Sequence, residues 1–299
     1  MTGDQGRPRL TRRDRRRAAI FAVVVVVVVI GGAAFVLFAG ERATTVSDQS
    51  ALDRFRTEGS STAGSAGTAA GGDTAGDGTA TVGGAAYPAP APGVYAYTGS
   101  GEEVTSFPPL TEQQGPDMPA TVVIGADGCW SWRIDLNTHH WQDWTFCSSA
   151  EGLLDTGGTS FARRDFVTFQ IDNTSTFTCP EPEAMLWPDM APGQTRTGRC
   201  VGTSSAMEGE STSAGTATMV GVEDVVVGGT TVPAVHVRRD HTLSGAQTGT
   251  ELVEWWLHPD TGLPLRQRRS LRVDTATPVG PITYTEEGEL TLTSLEPQT

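Results

Sequence analysis

Between Gly93 and Leu295 apolar residues recur in short, mostly alternating runs: VYAYTG at 94–99, TVVIG at 121–125, CWSWRIDL at 129–136, WQDWTF at 141–146, FVTFQID at 166–172, TATMVGVEDVVV at 216–227, TVPAVHVRRD at 231–240, TELVEWWLH at 250–258, LPLRQRRSLRV at 263–273 and ITYTEEGELTLTSL at 282–295. Gly, Asp, Pro and Thr clusters separate them. A period of two places successive side chains on opposite faces of an extended chain, and no stretch here keeps a helical period for three turns. The pattern therefore predicts an antiparallel all-β domain. Only Glu181–Trp187 has room for a short helix, and its flanking prolines work against it. A segment of roughly 200 residues is long enough to bury a single core.

The turn signals are strongest near the C-terminus. In ELVEWWLHPDTGLPLRQRRSLRV one extended segment runs into His258-Pro259-Asp260-Thr261-Gly262, reverses, and returns through Leu265 to Val273. Pro259 fixes a turn φ and Gly262 is free to take the positive φ of a tight return. Along the outgoing strand Leu252, Glu254 and Trp256 share one face, and Val253, Trp255 and Leu257 the other. A sheet with large apolar groups on both faces needs a second cover or a cavity.

The string WWLHPDTGLPLRQRRSLRV resembles the repeated hairpin of the LolA-like and RseB-like exported proteins. The residues carrying the resemblance are Trp256, Leu257, Asp260, Thr261, Gly262, Leu263, Pro264 and Arg266. It implies a curved antiparallel sheet or open half-barrel closing around an apolar hollow, which holds acyl chains or a lipidated partner.

The N-terminal part reads differently. Seven arginines lie between Arg7 and Arg17, followed by the uncharged run AAIFAVVVVVVVIGGAAFVLFAG at 18–40. As a helix this run would rise about 35 Å, against a hydrocarbon core of roughly 30 Å, and the arginines favour a cytoplasmic N-terminus. The expected organisation is a basic tail at 1–17, a transmembrane helix at 18–40, a disordered Gly/Ser/Thr/Ala/Pro linker at 41–92 and an extracytoplasmic β domain at 93–299. The linker expectation rests on composition: SSTAGSAGTAAGGDTAGDGTATVGG at 60–84 has too little apolar surface to offset the entropy of ordering. This implies a single-pass cell-membrane protein with the bilayer as partner through residues 18–40.

Charge is divided along the chain. Of 21 Arg and 35 Asp plus Glu, residues 1–17 hold seven Arg and two Asp, which leaves residues 41–299 at −19. Such a surface argues against a nucleic-acid partner and against adhesion to anionic headgroups.

All four cysteines, Cys129, Cys147, Cys179 and Cys200, follow the apolar run. In an oxidising compartment they make two disulfides, with three connectivities open; sequential pairing needs the least chain crossing. No Cys-x-x-Cys pair suggests zinc. The tryptophans cluster at Trp130, Trp132, Trp141 and Trp144 and again at Trp255–Trp256; Trp130, Trp132, Trp255 and Trp256 are the candidate ligand contacts, with ordinary core the competing role.

No catalytic, metal or cofactor motif emerges. The histidines are His139, His140, His236, His241 and His258, and neighbouring His139 and His140 would serve one ion only from a turn. The parts of a Ser–His–acid arrangement need not be close in sequence, but no Gly-x-Ser-x-Gly elbow marks one. Glu286, Glu287 and Glu289 read as an exposed turn. The sequence thus predicts a non-enzymatic, membrane-anchored domain that binds a lipid or lipidated envelope partner as carrier or sensor. The alternative is a structural or protein–protein interaction module of the cell envelope without a small-molecule ligand.

Overall fold

The computed structural model describes residues 42–63, 87–125, 127–166, 169–277 and 280–299. The chain divides into two units, one of residues 1–42 with 165–170 and one of residues 43–164 with 171–299. The second unit carries the helix α1 (Asp48–Ala63) and the bulk of fourteen strands: β1 (Gly93–Tyr95), β2 (Tyr97–Ser106), β3 (Pro109–Gln114), β4 (Ala120–Ile124), β5 (Trp130–Asn137), β6 (His140–Ser149), β7 (Gly152–Phe166), β8 (Phe169–Leu186), β9 (Thr195–Ser204), β10 (Glu210–Val227), β11 (Thr230–Gly245), β12 (Gln247–Leu257), β13 (Pro264–Thr277) and β14 (Gly280–Leu292). Within the first unit, Phe166 and Phe169 stack with ring centroids 4.6 Å apart.

The strands form one antiparallel sheet in which almost every strand pairs with its neighbours in the chain. β1 and β2 are one extended run interrupted only at Ala96. β1 pairs with β4, whereas β2 pairs with β3 on one side and with β14 on the other, in the register Tyr97↔Leu292 to Thr105↔Tyr284. The hydrogen-bonded series therefore returns to the run on which it began. The expected open half-barrel is corrected to a series of strands that returns on itself through the β1–β2 run, with β3, which pairs only with β2, left as an edge.

The α1 helix is a second correction, because it lies inside the expected linker. Ser47 caps it through a bond from the Ser50 amide to its hydroxyl (3.2 Å), and Asp48 stands in the first turn. A helix of this length is marginal alone. It is held by docking: Ala51, Leu52 and Phe55 pack with Val94, Arg54 pairs with Asp135, and Arg56 donates to the carbonyl of Thr299 at 2.9 Å. Tyr87 also bonds into the sheet, its amide donating to Ser148 Oγ at 3.2 Å. Composition alone missed these contacts because three apolar residues suffice once a sheet is present to receive them.

The expected anchor at 18–40, the basic tail at 1–17 and linker residues 64–86 lie outside the described residues. Among the described residues no helix is long and apolar enough to cross a membrane. The expected transmembrane helix, the bilayer as partner and the single-pass, membrane-anchored placement therefore find no support among the described residues and are not carried into the reading below.

Close to α1, Asp143 on β6 shows how docking acts on ionisation. Burial pushes its carboxyl up to about 6, and Glu58 on the helix adds to this, against the opposing pull of Arg133 and a hydrogen bond with Ser131. A folded-state value above the unfolded one means that ionised Asp143 opposes folding; the penalty is absent below about pH 4 and complete above about pH 6. Asp143→Asn is thus expected to stabilise the protein by about 1–3 kcal/mol at pH 7 and to be neutral near pH 4, as read from urea unfolding at the two pH values. Equal effects at both would show that the burial penalty is not electrostatic.

The cysteines pair sequentially, Cys129 with Cys147 and Cys179 with Cys200, closing separations of 18 and 21 residues. Each link restricts the unfolded chain by about 3 kcal/mol on a loop-entropy basis. The Thr-Gly turn forms as its residues predict: Gly262 adopts φ 72°, its amide donating to the His258 carbonyl at 2.8 Å, and β13 follows from Pro264. Glu181–Trp187 holds no helix, since β8 runs to Leu186.

Candidate functional site

Alternation along the closed sheet sends one set of side chains inward, and these divide into an aromatic layer and a charged belt. The aromatic layer comes from β2, β5, β6 and β12. The Trp132 ring lies 5.7 Å from Tyr97, 5.4 Å from Trp144 and 5.8 Å from Trp255. Trp255 in turn lies 5.3 Å from Trp144 and 6.4 Å from Phe146, and Trp130 sits 4.7 Å from Phe146. β5 and β12 are well apart in the strand order, so these contacts span the interior and tie one wall to the other.

The four candidate ligand contacts are therefore not one group. Trp130, Trp132 and Trp255 belong to this buried layer. Trp256 faces the other way, stacked on His236 at 4.2 Å with Arg266 over its ring at 4.7 Å, and its indole N–H donates to Glu223 at 2.8 Å. The two sheet faces inferred for β12 are thus both filled, Val253, Trp255 and Leu257 inward and Trp256 under its own polar cover.

The charged belt follows along the same inward positions. Arg164 on β7 pairs with Glu103 on β2 and with Glu112 on β3, the latter at 2.8 Å. His140 Nδ1 meets Glu103 at 2.6 Å and His139 Nδ1 meets Glu112 at 2.9 Å. Gln142 donates to Glu286 at 3.0 Å, and Arg269 donates to Glu251 at 2.8 Å. Opposite them Arg239 on β11 joins Asp155 at 3.1 Å and Glu183 at 2.8 Å. Small residues make room: a Cβ on Gly101 would come within 2.2 Å of the Gln114 amide oxygen, whose amide nitrogen bridges Glu103 and Glu286.

Ionisation follows from these partners. Burial pushes Glu103 upward, but His140, Arg164 and Gln114 outweigh it and hold the carboxyl well below its ordinary value. Glu251 is likewise held down against burial, first by Arg269 and then by Arg239 and His241. For Asp155 burial wins over Arg239 and the value is raised. Glu103 is thus held in its charged form, whereas burial favours the protonated form of Asp155.

One corner resembles catalytic machinery. Ser213 Oγ lies 2.9 Å from His241 Nδ1, and His241 Nε2 lies 3.1 Å from Glu183. Two features set it apart from a Ser–His–acid nucleophile arrangement. Arg239 occupies the same carboxylate and donates to His241 Nε2 at 3.2 Å, tying down the imidazole. Ser213 stands mid-strand, paired with Cys200 and Leu243, so its main-chain neighbourhood is committed to ladders and offers no oxyanion donors. Among the described residues no group of His, Cys, Asp or Glu is placed to hold a metal ion.

The belt was mostly missed in the sequence. Glu286 is buried on β14, not exposed on a turn. His139 and His140 do sit at the β5–β6 turn, but each serves a different carboxylate. The available signal was parity: Arg239 and His241 fall in register with the inward Val237, and Arg269 with Leu265 and Gln267.

On the outside, the β10–β11 hairpin outruns its neighbours. β9 accompanies β10 only to Thr218, and β12 accompanies β11 only from Val235 upward. Val225, Val227, Val232 and Ala234 are buried on one face of this projection, while Val222 and Val226 on the other are 64% and 60% exposed. Compared with known proteins, this chain matches no family model, no curated protein and no solved structure.

Proposed function

We propose that this protein is a structural or protein–protein interaction module of the cell envelope that works through its outer surface, without a small-molecule ligand. The observation that supports this reading is the aromatic bridge of Trp132, Trp144 and Trp255 across the ring, which fills the space where an acyl chain would lie. A carrier needs a hollow that empties and fills, whereas side chains here meet from both walls. The charged belt adds rigidity: its groups reach from β2, β3 and β14 to β6 and β7, and from β11 to β7 and β8. Two disulfides suit an oxidising compartment.

The test is native mass spectrometry of the full chain, followed by organic extraction. The expected result is the mass of the polypeptide alone, with nothing recovered in the extract. A reproducible bound mass of lipid size would sink the reading.

A further inference from the structure

The segment Val220–Val227 of β10 is an unpaired strand edge. Its one strand partner is β11, and no other described segment makes a main-chain bond to it; Gly193 and Gln194 reach Met219 and stop there. In an antiparallel strand every second residue directs its N–H and C=O away from its partner, so this edge offers a row of open hydrogen-bonding groups. The projecting hairpin has a second edge, on β11, but Pro233 lies in it and cannot donate. The β10 side contains no proline and no basic residue. It is rich in β-branched residues, and Val222 and Val226 stand exposed beside it.

We infer that this edge is a docking site for an extended segment of another protein, which adds as a strand and carries basic side chains among apolar ones. The inference deepens the interaction-module reading and rests on it. Strand addition draws affinity from main-chain bonds and specificity from alternate side chains. Val222 and Val226 supply the apolar contacts. Asp224 lies between them on the same face, exposed and opposite Pro233, which leaves it without a cross-strand donor. Glu223 on the opposite face is engaged with His236 and Trp256, so Asp224 is the carboxylate open to a partner.

Charge also selects the occupant. The whole chain carries −14 and contains no lysine, the residue with which proteins most often guard such an edge. A second copy would bring its own Asp224 and a large negative charge to the pairing, which disfavours self-association. The residues at 64–86 are dominated by Gly, Ala and Thr and include Asp73 and Asp77 but no basic residue, so they lack the complementary charge.

The test uses the full chain and fluorescent nine-residue peptides that alternate valine with lysine, with serine or with glutamate, read by anisotropy and amide exchange. The lysine peptide is expected to bind about tenfold or more tighter than the glutamate peptide and to protect amides within Val220–Val227. The double variant V222K/V226K, altered only at exposed positions, should weaken it by about tenfold while keeping the native circular dichroism. Absence of binding, equal binding of the three peptides, or binding unchanged in the variant would overturn the inference. Wild-type dimers in sedimentation that V222K/V226K dissociates would give the edge to a second copy instead. Failure here with a ligand-free native mass leaves the interaction-module reading in place and moves its surface elsewhere; a retained lipid mass removes that reading whatever the peptides do.

Discussion

Trp255→Ala is expected to lower the unfolding free energy by about 3–5 kcal/mol, a large part of the 5–15 kcal/mol that ordinary domains possess. The side chain is fully buried and lies within 5.3–6.4 Å of three rings on β5 and β6. Its removal loses transfer free energy and opens a void that the walls cannot close, because they are hydrogen-bonded to their neighbours all round. Urea unfolding of the full chain reads the effect, with Phe107→Ala as the control. Phe107 is 54% exposed, and its truncation should change stability by no more than about 0.5 kcal/mol. A Trp255 loss below about 1 kcal/mol would mean that the aromatic layer is loosely packed, and the filled-interior argument would fall with it.

Arg239→Met is expected to cost about 3–5 kcal/mol at pH 7, by a different mechanism. The substitution keeps much of the volume but leaves Asp155 and Glu183 without their shared guanidinium. A buried pair adds little net stability when intact, yet breaking it from one side strands a charge in a medium that solvates it poorly. The loss has a pH signature. Burial already raises Asp155; without Arg239 its carboxyl is raised further, so the variant's penalty is present at neutral pH and shrinks as protons are taken up toward about pH 5. Unfolding curves at both pH values distinguish this from a packing defect, which would be constant. A pH-independent loss would rule out a charge-based role for the belt.

How far the sequence disclosed this architecture depends on which force shaped each segment. β5, β6, β11 and β12 were legible because part of each has apolar inward positions, such as Trp130, Trp132 and Ile134 or Val253, Trp255 and Leu257, so a period of two appears there directly in the residue string. β9 was not, since in TRTGRCVGTS the inward positions are Gly198, Cys200 and Gly202, small residues that make space for side chains across the interior. β7 was obscured in the same way: GLLDTGGTSFARRDF places Asp155 and, past a bulge, Gly158 and Ser160 where a hydrophobic pattern expects leucines. The belt defeated pattern reading for that reason, because buried carboxylates look like surface until their partners, often more than 100 residues away, are brought beside them. The β12–β13 turn was readable to the residue, as its conformation is set locally by Pro259 and Gly262. The α1 helix could not be read, because its stability is supplied by the sheet.

The β2–β14 pairing has a consequence for how the molecule comes into being. Thr105 bonds alongside Tyr284, so the first long strand waits for nearly the last before its second side is satisfied. Until β14 is in place, β2 keeps one side unpaired, a template on which other strands can dock. A truncation within β14 would leave that side of β2 open to foreign strands.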